Sequence, residues 1–364
     1  MNLLVSNSRI RLSHGQLFWQ EVGHGKTLVF LHGSWWTGEQ WGNVVPLLSP
    51  HHHCLMPDLL GFGESGQPQG HSSIAIQVET LAEFLTFLRI SDCILVGHSI
   101  GAWVAAAYAL EHPEHVKGLV LLSPEGVDAP GLKKRWQGYG LWSSPVPLVG
   151  WALRSLHSLA RLFGKGQALQ TALRHRRYLR SAPEACRLLF RRRRSEIKAE
   201  LLGDRLSALA CPLELVKGEQ DDDVAIALIY AYAEAAHASI SSIPGDTGKI
   251  EPWLYASDSH GGSSQGRSRP TELNSISTIQ KKRGQKTRGK SNQQSGIRRG
   301  TRDRSPLKAL LKKAGFTVAQ RPSKPLPVNP ANDRSQLQTE AVASSKLNGA
   351  IAYVIKDFID HHRL

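Results

Sequence analysis

The sequence of 364 residues lacks two features that would place a protein in a membrane or outside the cell. It has no run of 18 or more uncharged apolar residues, which argues against a membrane-spanning helix. Its N-terminus has no charged segment followed by a long apolar stretch, so no signal peptide is expected. These absences predict a cytoplasmic protein.

Cysteine is scarce, and its spacing is uninformative. The four cysteines, Cys54, Cys93, Cys186 and Cys211, match neither a metal site nor a disulfide framework. Three of them lie in apolar runs, which favours buried free thiols in a reducing compartment. We expect no metal centre, and nothing in the sequence implies a cofactor.

Acidic residues are also fewer than basic ones. The chain has 30 aspartates and glutamates against 45 lysines and arginines, which gives a net charge of +15. The resulting pI of about 9.8 is high for an enzyme of small molecules. It indicates either anionic partners or an added basic segment. A chain of this length can bury one large core and still carry such a module.

The most informative motif that is present is Gly97-His98-Ser99-Ile100-Gly101. An apolar run precedes it and a run of small residues follows, so the order is strand, Gly-x-Ser-x-Gly, helix. The two glycines remove Cβ atoms that would collide across a tight turn. The first N–H groups of the helix would face a developing oxyanion. The pattern predicts that Ser99 is a nucleophile on an elbow between strand and helix.

Two further motifs precede the elbow. A predicted strand at 27–31 runs into His32-Gly33-Ser34, and one at 53–58 is followed by Gly-Phe-Gly-Glu-Ser at 61–65. In order and spacing, the three motifs resemble the α/β-hydrolase superfamily, over roughly residues 9–245.

This resemblance implies a capped, esterase-like or lipase-like member with Ser99 as nucleophile. The backbone N–H groups of Ser34 and Ile100 would form the oxyanion hole, and Asp58 would shape the loop beside the site. We expect His32 and His98 to pack or to form hydrogen bonds rather than to relay protons.

The implied fold is an α/β-hydrolase fold, with a mainly parallel sheet and helices on both faces. Apolar patterning predicts strands at 9–12, 16–22, 27–31, 53–58, 93–96, 116–122, 212–217 and 238–243, and helices at 40–48, 74–88, 100–110 and 224–235.

A serine needs a histidine base held by a carboxylate. Asp221 fits the superfamily's acid position, Asp222 is the second choice, and Glu125 occupies an alternative acid position. Asp223 is predicted to be the N-cap of the following helix.

The histidine position departs from the pattern. Where the superfamily places Gly-His after the last strand, this chain reads Asp246-Thr247-Gly248. His260 could fold back to serve as the base, whereas His361 and His362 are poorer candidates. The alternative is that His260 is an exposed loop histidine and the triad is incomplete.

The remaining segments are basic. We divide the chain into a first core part (1–123), a basic helical cap (124–210), a second core part (211–245), a mostly disordered insertion (246–343) and a closing helix (344–364). The cap's alternating tryptophans, leucines and arginines suit peripheral contact with an anionic membrane, although a lid with solvated arginines is the commoner arrangement. No reader motif supports nucleic-acid binding.

The sequence thus predicts a hydrolase of a small-molecule carboxylic ester or thioester with an apolar acyl group, acting through a Ser99 acyl-enzyme. Serine at the elbow disfavours the dehalogenase and epoxide-hydrolase branches, which resemble this fold but carry aspartate there. Two alternatives stay open: a hydrolase of C–C bonds, and a binding protein that keeps the fold without the base.

Overall fold

The computed structural model describes residues 5–143, 176–177, 179–247 and 330–364. Eight strands lie within these residues, in one sheet of order β1-β2-β4-β3-β5-β6-β7-β8. The strands are β1 (Ser6–Leu12), β2 (Gly15–Val22), β3 (Lys26–Leu31), β4 (His52–Asp58), β5 (Cys93–His98), β6 (Val116–Leu122), β7 (Leu213–Gly218) and β8 (Ser239–Ile243). β1 pairs antiparallel with β2, and β2 with β4, whereas the other pairs are parallel.

Helices connect the parallel strands, and one further helix, the last in the following list, comes after β8. They are α1 (Val45–Leu48), α2 (Ile74–Phe87), α3 (Ile100–Glu111), α4 (Leu132–Ser143), α5 (Pro183–Cys186), α6 (Arg194–Glu200), α7 (Asp223–Ala236) and α8 (Pro330–His362). Two 3-10 helices (Gly38–Trp41 and Gly203–Ala208) and a π-helical turn (Arg187–Arg191) complete the described elements. No helix in the described ranges is long and apolar enough to span a bilayer.

The central strands are buried on both faces. Side chains alternate along a strand, so Leu95 of β5 packs with α2 and α3, whereas Ile94 and Val96 pack in a second cluster with α8. All three side chains are buried. Such continuously apolar strands require helices on both sides of the sheet. The predicted fold class is confirmed.

Two predicted helices differ from the observed ones. The helix expected at 40–48 is a 3-10 helix followed by the short α1, since Gly42 and Asn43 intervene and Pro46 lacks an N–H. The closing helix was expected from about residue 344, whereas α8 starts at Pro330. Its first half is polar and gives no apolar periodicity, so only a starting proline marks it.

Candidate active site

The parallel strands bring the predicted site residues to one edge of the sheet. Ser34 follows β3, Ser99 follows β5, Glu125 follows β6 and Asp221 follows β7. Ligand sites in open α/β sheets lie at the carboxyl ends of the strands. The described residues at this edge therefore define the candidate active site.

Ser99 has a strained backbone between β5 and α3. Its φ of 53° and ψ of −113° lie outside the helical and extended regions. Its N–H donates to Leu122 O over 3.0 Å, and its carbonyl oxygen accepts from the N–H groups of Trp103 (3.1 Å) and Glu125 (3.2 Å). A non-glycine residue in such a region costs about 1–3 kcal/mol and persists only where neighbours hold it.

The two motif glycines permit this turn because the backbone is crowded around them. A Cβ on Gly97 would lie 2.6 Å from Ala102 Cα, and one on Gly101 would lie 2.4 Å from Leu31 O. Both distances are far inside van der Waals contact with backbone atoms that cannot move aside. The predicted steric reason for glycine therefore holds at both positions.

Ser34 contributes a side chain that the sequence did not reveal. Its Oγ lies 3.0 Å from Ser99 Oγ, within hydrogen-bonding distance, and the residue is buried. The turn around it is fixed, because Gln40 Oε1 accepts from Gly33 N–H over 2.9 Å. Ile100 is the first residue of α3, where backbone N–H groups have no intrahelical partner. Ser34 and Ile100, the residues predicted to supply the oxyanion donors, thus both lie next to Ser99.

The two histidines of the motifs are buried and hydrogen-bonded. His32 Nε2 accepts from Leu59 N–H over 3.0 Å, so its Nδ1–H donates to Gly33 O over 2.9 Å. Burial lowers its pKa, with the nearby Asp58 carboxylate opposing that effect. It is neutral at pH 7 and holds a loop in place, as we expected.

His98 is equally buried, and burial lowers its pKa to about 4. Its Nε2–H donates to Thr247 O over 2.8 Å. Its Nδ1 has no hydrogen-bond partner among the described residues. That nitrogen presses against Gly33, where a Cβ would lie only 2.2 Å away. The neutral His98 ring therefore packs between Gly33, in the loop after β3, and Thr247, in the chain after β8.

Asp221, the predicted acid, is engaged by the chain that follows β8. Thr247 Oγ1 donates to Asp221 Oδ2 over 2.6 Å, and Thr247 N–H donates to Oδ1. Gly218 N–H also donates to Oδ2 over 2.8 Å, and Ser123 Oγ lies 3.3 Å from the same oxygen. Thr247 is buried. A threonine thus contacts the carboxylate at the place where the superfamily pattern puts a histidine.

Asp222, the second choice for the acid, is the N-cap of α7. Its Oδ1 accepts from the N–H groups of Val224 (3.0 Å) and Ala225 (2.9 Å). The prediction of Asp223 as N-cap was therefore wrong, because the helix begins at Asp223 itself. In a run of three aspartates, only the backbone turn decides which one caps the helix.

Glu125 lies beside the backbone of Ser99, and its carboxyl group is buried. Burial raises its pKa to about 7, Arg135 opposes that shift and Asp222 adds to it. Arg135 Nη1 of α4 lies 4.0 Å from Glu125 Oε1, and its Nη2 lies 3.4 Å from Asp222 Oδ2. The arginine thus links the first helix after β6 to both alternative acids.

Of the remaining candidate bases, the structure describes only His361 and His362. His260 lies outside the described residues. His361 and His362 are exposed at the end of α8, whose Phe358 packs beside Gly118 near the start of β6. They therefore lie toward the amino ends of the strands, opposite to Ser99.

Part of the basic segment is used within the fold. The side chain of Arg192 is 5% exposed, and its Nη1 donates to Glu200 Oε1 over 2.8 Å. Arg191 donates to Ser143 O. Arg193 and Arg194 are exposed. The tryptophans and leucines predicted to alternate with the basic groups, from Trp151 to Phe163, lie outside the described residues.

Comparison with known proteins identifies the family. A model described as "Alpha/beta hydrolase family" matches residues 28–260. The chain belongs to this family. It is 34% identical over 116 residues to a haloalkane dehalogenase of Mesorhizobium japonicum, covering 32% of this chain and 38% of that protein. It is 36% identical over 126 residues to 2-hydroxy-6-oxo-2,4-heptadienoate hydrolase of Pseudomonas putida, covering 33% and 45%.

The chain thus spans less than half the length of these two curated relatives. Among solved structures, it resembles MGS-M2, an alpha/beta hydrolase enzyme from a deep-sea metagenome library, with a TM-score of 0.53 and 19% identity. That likeness covers 68% of this chain and 94% of the other, and at this identity it concerns the fold alone.

Proposed function

We propose that this protein is a serine hydrolase that cleaves a carboxylic ester or thioester with an apolar acyl group through a Ser99 acyl-enzyme. The observation that carries the proposal is the strained backbone of Ser99 at the head of α3, with φ of 53°. A strained non-glycine residue at a ligand-binding edge is a mark of function rather than of stability. A serine that served only as a turn would not need this conformation.

In the proposed reaction, Ser99 Oγ attacks the carbonyl carbon of the substrate while its proton passes to a base. The negative charge on the carbonyl oxygen would face the N–H groups of Ser34 and Ile100, which cost no reorganisation when they are fixed in advance. Collapse would expel the alcohol or thiol with that proton, and water would then release the acid from Ser99. We propose His260 as the base and Asp221 as its acid.

The Ser34 hydroxyl adds a role to this scheme. In the resting protein it lies 3.0 Å from Ser99 Oγ. A hydrogen bond there would hold the nucleophile in one rotamer before the substrate arrives, and this kind of orientation lowers the entropic part of the barrier. Cleavage of a C–C bond through the same serine is a variant that the name of the Pseudomonas putida relative favours.

Labelling by a fluorophosphonate probe tests the proposal. We expect wild type to label, and Ser99→Ala to abolish labelling, because the probe reports an activated serine. Ser207→Ala is the matched control, since Ser207 is an exposed serine in a 3-10 helix and its variant should label like wild type. Absence of labelling in folded wild type would contradict the proposal.

A second candidate function rests on Thr247. Its hydroxyl donates to Asp221 and its carbonyl oxygen accepts from His98, so it occupies the acid's partner position. A threonine hydroxyl does not ionise near neutral pH and cannot accept a proton from Ser99. This arrangement supports a binding protein that keeps the hydrolase fold but has lost the base.

The two candidates differ in a measurable way. For the binding protein we expect wild type and His260→Ala to be equally inert toward the probe, while an apolar ester binds to wild type without turnover. Introducing a base by Thr247→His should then produce labelling. For the serine hydrolase, wild type labels and His260→Ala loses most of that labelling.

A further inference from the structure

A cluster of three side chains lies at the opposite end of α3 from Ser99, and neither proposed function uses it. His112 is the C-cap of α3, and Glu114 and His115 follow in the turn before β6. One nitrogen or oxygen of each side chain lies within 4.8 Å of those of the other two. Among the described residues, this is the one group of histidine, cysteine and acidic side chains with that geometry.

The three side chains face one another without direct hydrogen bonds. Glu114 Oε1 lies 3.8 Å from His112 Nδ1 and 3.7 Å from His115 Nε2. Both distances exceed the hydrogen-bond range. Neighbouring ligand atoms around a tetrahedral zinc ion are roughly 3.3 Å apart, given bonds of about 2.0–2.1 Å. Rotation of the exposed Glu114 carboxylate can shorten both of its distances, and the two imidazoles, whose ligand atoms lie within 4.8 Å of each other, would also have to move toward the ion.

A buried tyrosine fixes the orientation of one imidazole. Tyr108 Oη lies 3.0 Å from His115 Nδ1, so a proton on Nδ1 can donate to it and leave the Nε2 lone pair facing Glu114. Histidine ligands of metals usually have such a partner on the second ring nitrogen. The cluster therefore includes a supporting hydrogen bond as well as candidate ligands.

Ring packing and backbone bonds hold the turn itself. The His112 ring packs on Tyr108 with centroids 4.6 Å apart, and lies parallel to His115 within 5° at 5.8 Å. His112 N–H donates to Tyr108 O over 2.8 Å, and His115 O accepts from Cys93 N–H over 2.9 Å. The backbone of this turn is therefore already ordered before an ion binds, so binding would cost little conformational entropy.

We propose that His112, Glu114 and His115 bind a divalent transition metal such as Zn²⁺, with water in the remaining positions. Two imidazoles and one carboxylate form a borderline donor set that suits zinc, nickel or copper rather than calcium or magnesium. The ion would join the end of α3 to the start of β6.

Titration of the full-length protein with Zn²⁺, followed by calorimetry, tests this site. We expect His115→Asn and Glu114→Gln each to weaken zinc binding at least tenfold. Tyr108→Phe keeps the ring but removes the supporting hydroxyl, so it should weaken binding about tenfold. Glu114 is exposed, so its variant remains informative if Tyr108→Phe fails to fold.

Two controls make the outcome decisive. His71→Asn removes an exposed histidine that lies 3.6 Å from a glutamate, Glu196, and should leave zinc binding unchanged. His361→Asn with His362→Asn removes the histidine pair at the end of α8 and should also leave it unchanged. The proposal is overturned if wild type does not bind zinc, if His115→Asn binds it equally well, or if the α8 variant removes the binding.

Discussion

Glu125 differs from an ordinary surface carboxylate because burial raises its pKa to about 7, from a usual value of 4.5. It therefore keeps a proton in the folded protein at a pH where the unfolded chain has lost it. Folding takes up this proton between about pH 4.5 and pH 7, so the contribution of Glu125 to stability falls as the pH rises through that window. Above pH 7 the loss is complete.

Glu125→Gln should remove this pH dependence, because glutamine does not titrate. Relative to wild type, we expect the free energy of unfolding of the variant to rise between pH 4.5 and 7, by up to about 3 kcal/mol. Urea denaturation at several pH values measures the difference. Glu39→Gln, at an exposed glutamate, is the control and should follow wild type. If the free energies of unfolding of Glu125→Gln and wild type differ by the same amount at every pH, Glu125 is ionised in the folded protein.

Single residues of the site were predicted where the local sequence determines them. The elbow is such a case, because Gly97, Ser99 and Gly101 lie within five positions of the chain. The contact of the Ser34 and Ser99 hydroxyls joins residues 65 positions apart, and that of Thr247 with Asp221 joins residues 26 apart. Such contacts depend on how separate loops meet, and no periodicity in the sequence encodes them.

At the level of elements, the central strands and the helices at 74–87, 100–111 and 223–236 were predicted closely, whereas the start of α8 was not. The strand prediction at 116–122 coincides with β6, since each central strand is a short apolar run between turns. α8 shows the opposite case. Its buried half follows apolar periodicity, with Ile351, Ile355 and Phe358 in the second core cluster, while its polar half gives no such signal.

Ile355→Ala should test how much α8 stabilises the sheet. The side chain is fully buried, so truncation should lower the free energy of unfolding by about 2–5 kcal/mol. Tyr353→Ala on the same helix is the control, since Tyr353 is 69% exposed and its loss should change stability by no more than about 0.5 kcal/mol. Urea denaturation compares them. Equal stability losses would mean that α8 does not pack on the sheet in solution.

On the scale of the whole molecule, the excess of positive charge is only partly available to a partner. The net charge is +15, yet Arg135 and Arg192 are directed to carboxylates of the fold. Arg193 and Arg194 remain exposed in the tetra-arginine run. An electrostatic surface predicted from sequence counts every arginine, whereas only the tertiary structure separates paired from solvated ones.

If the exposed arginines contact anionic lipid, the protein should co-sediment with phosphatidylserine vesicles and not with neutral ones. Binding should weaken as salt rises from ~0.05 M to ~0.5 M, because exposed charges are screened. Arg193→Ser with Arg194→Ser should weaken binding severalfold. Arg11→Ser with Lys356→Ser removes the same charge from exposed positions elsewhere and is the control. If the protein binds neutral and phosphatidylserine vesicles equally well, the proposed attraction between the exposed arginines and anionic lipid is ruled out.

Because β5 leads directly into Ser99, insertions and deletions in this strand should be poorly tolerated. The first four residues of β5 alternate between the two core clusters, and its last two, Gly97 and His98, already belong to the elbow. One inserted residue would exchange the faces of every side chain beyond it, or move the serine away from Ser34. By contrast, a Cβ on Gly70 would have no other atom within 4 Å, so insertions at that turn meet open space. Length changes in this family member should therefore accumulate in its turns and spare the strand that ends in the nucleophile.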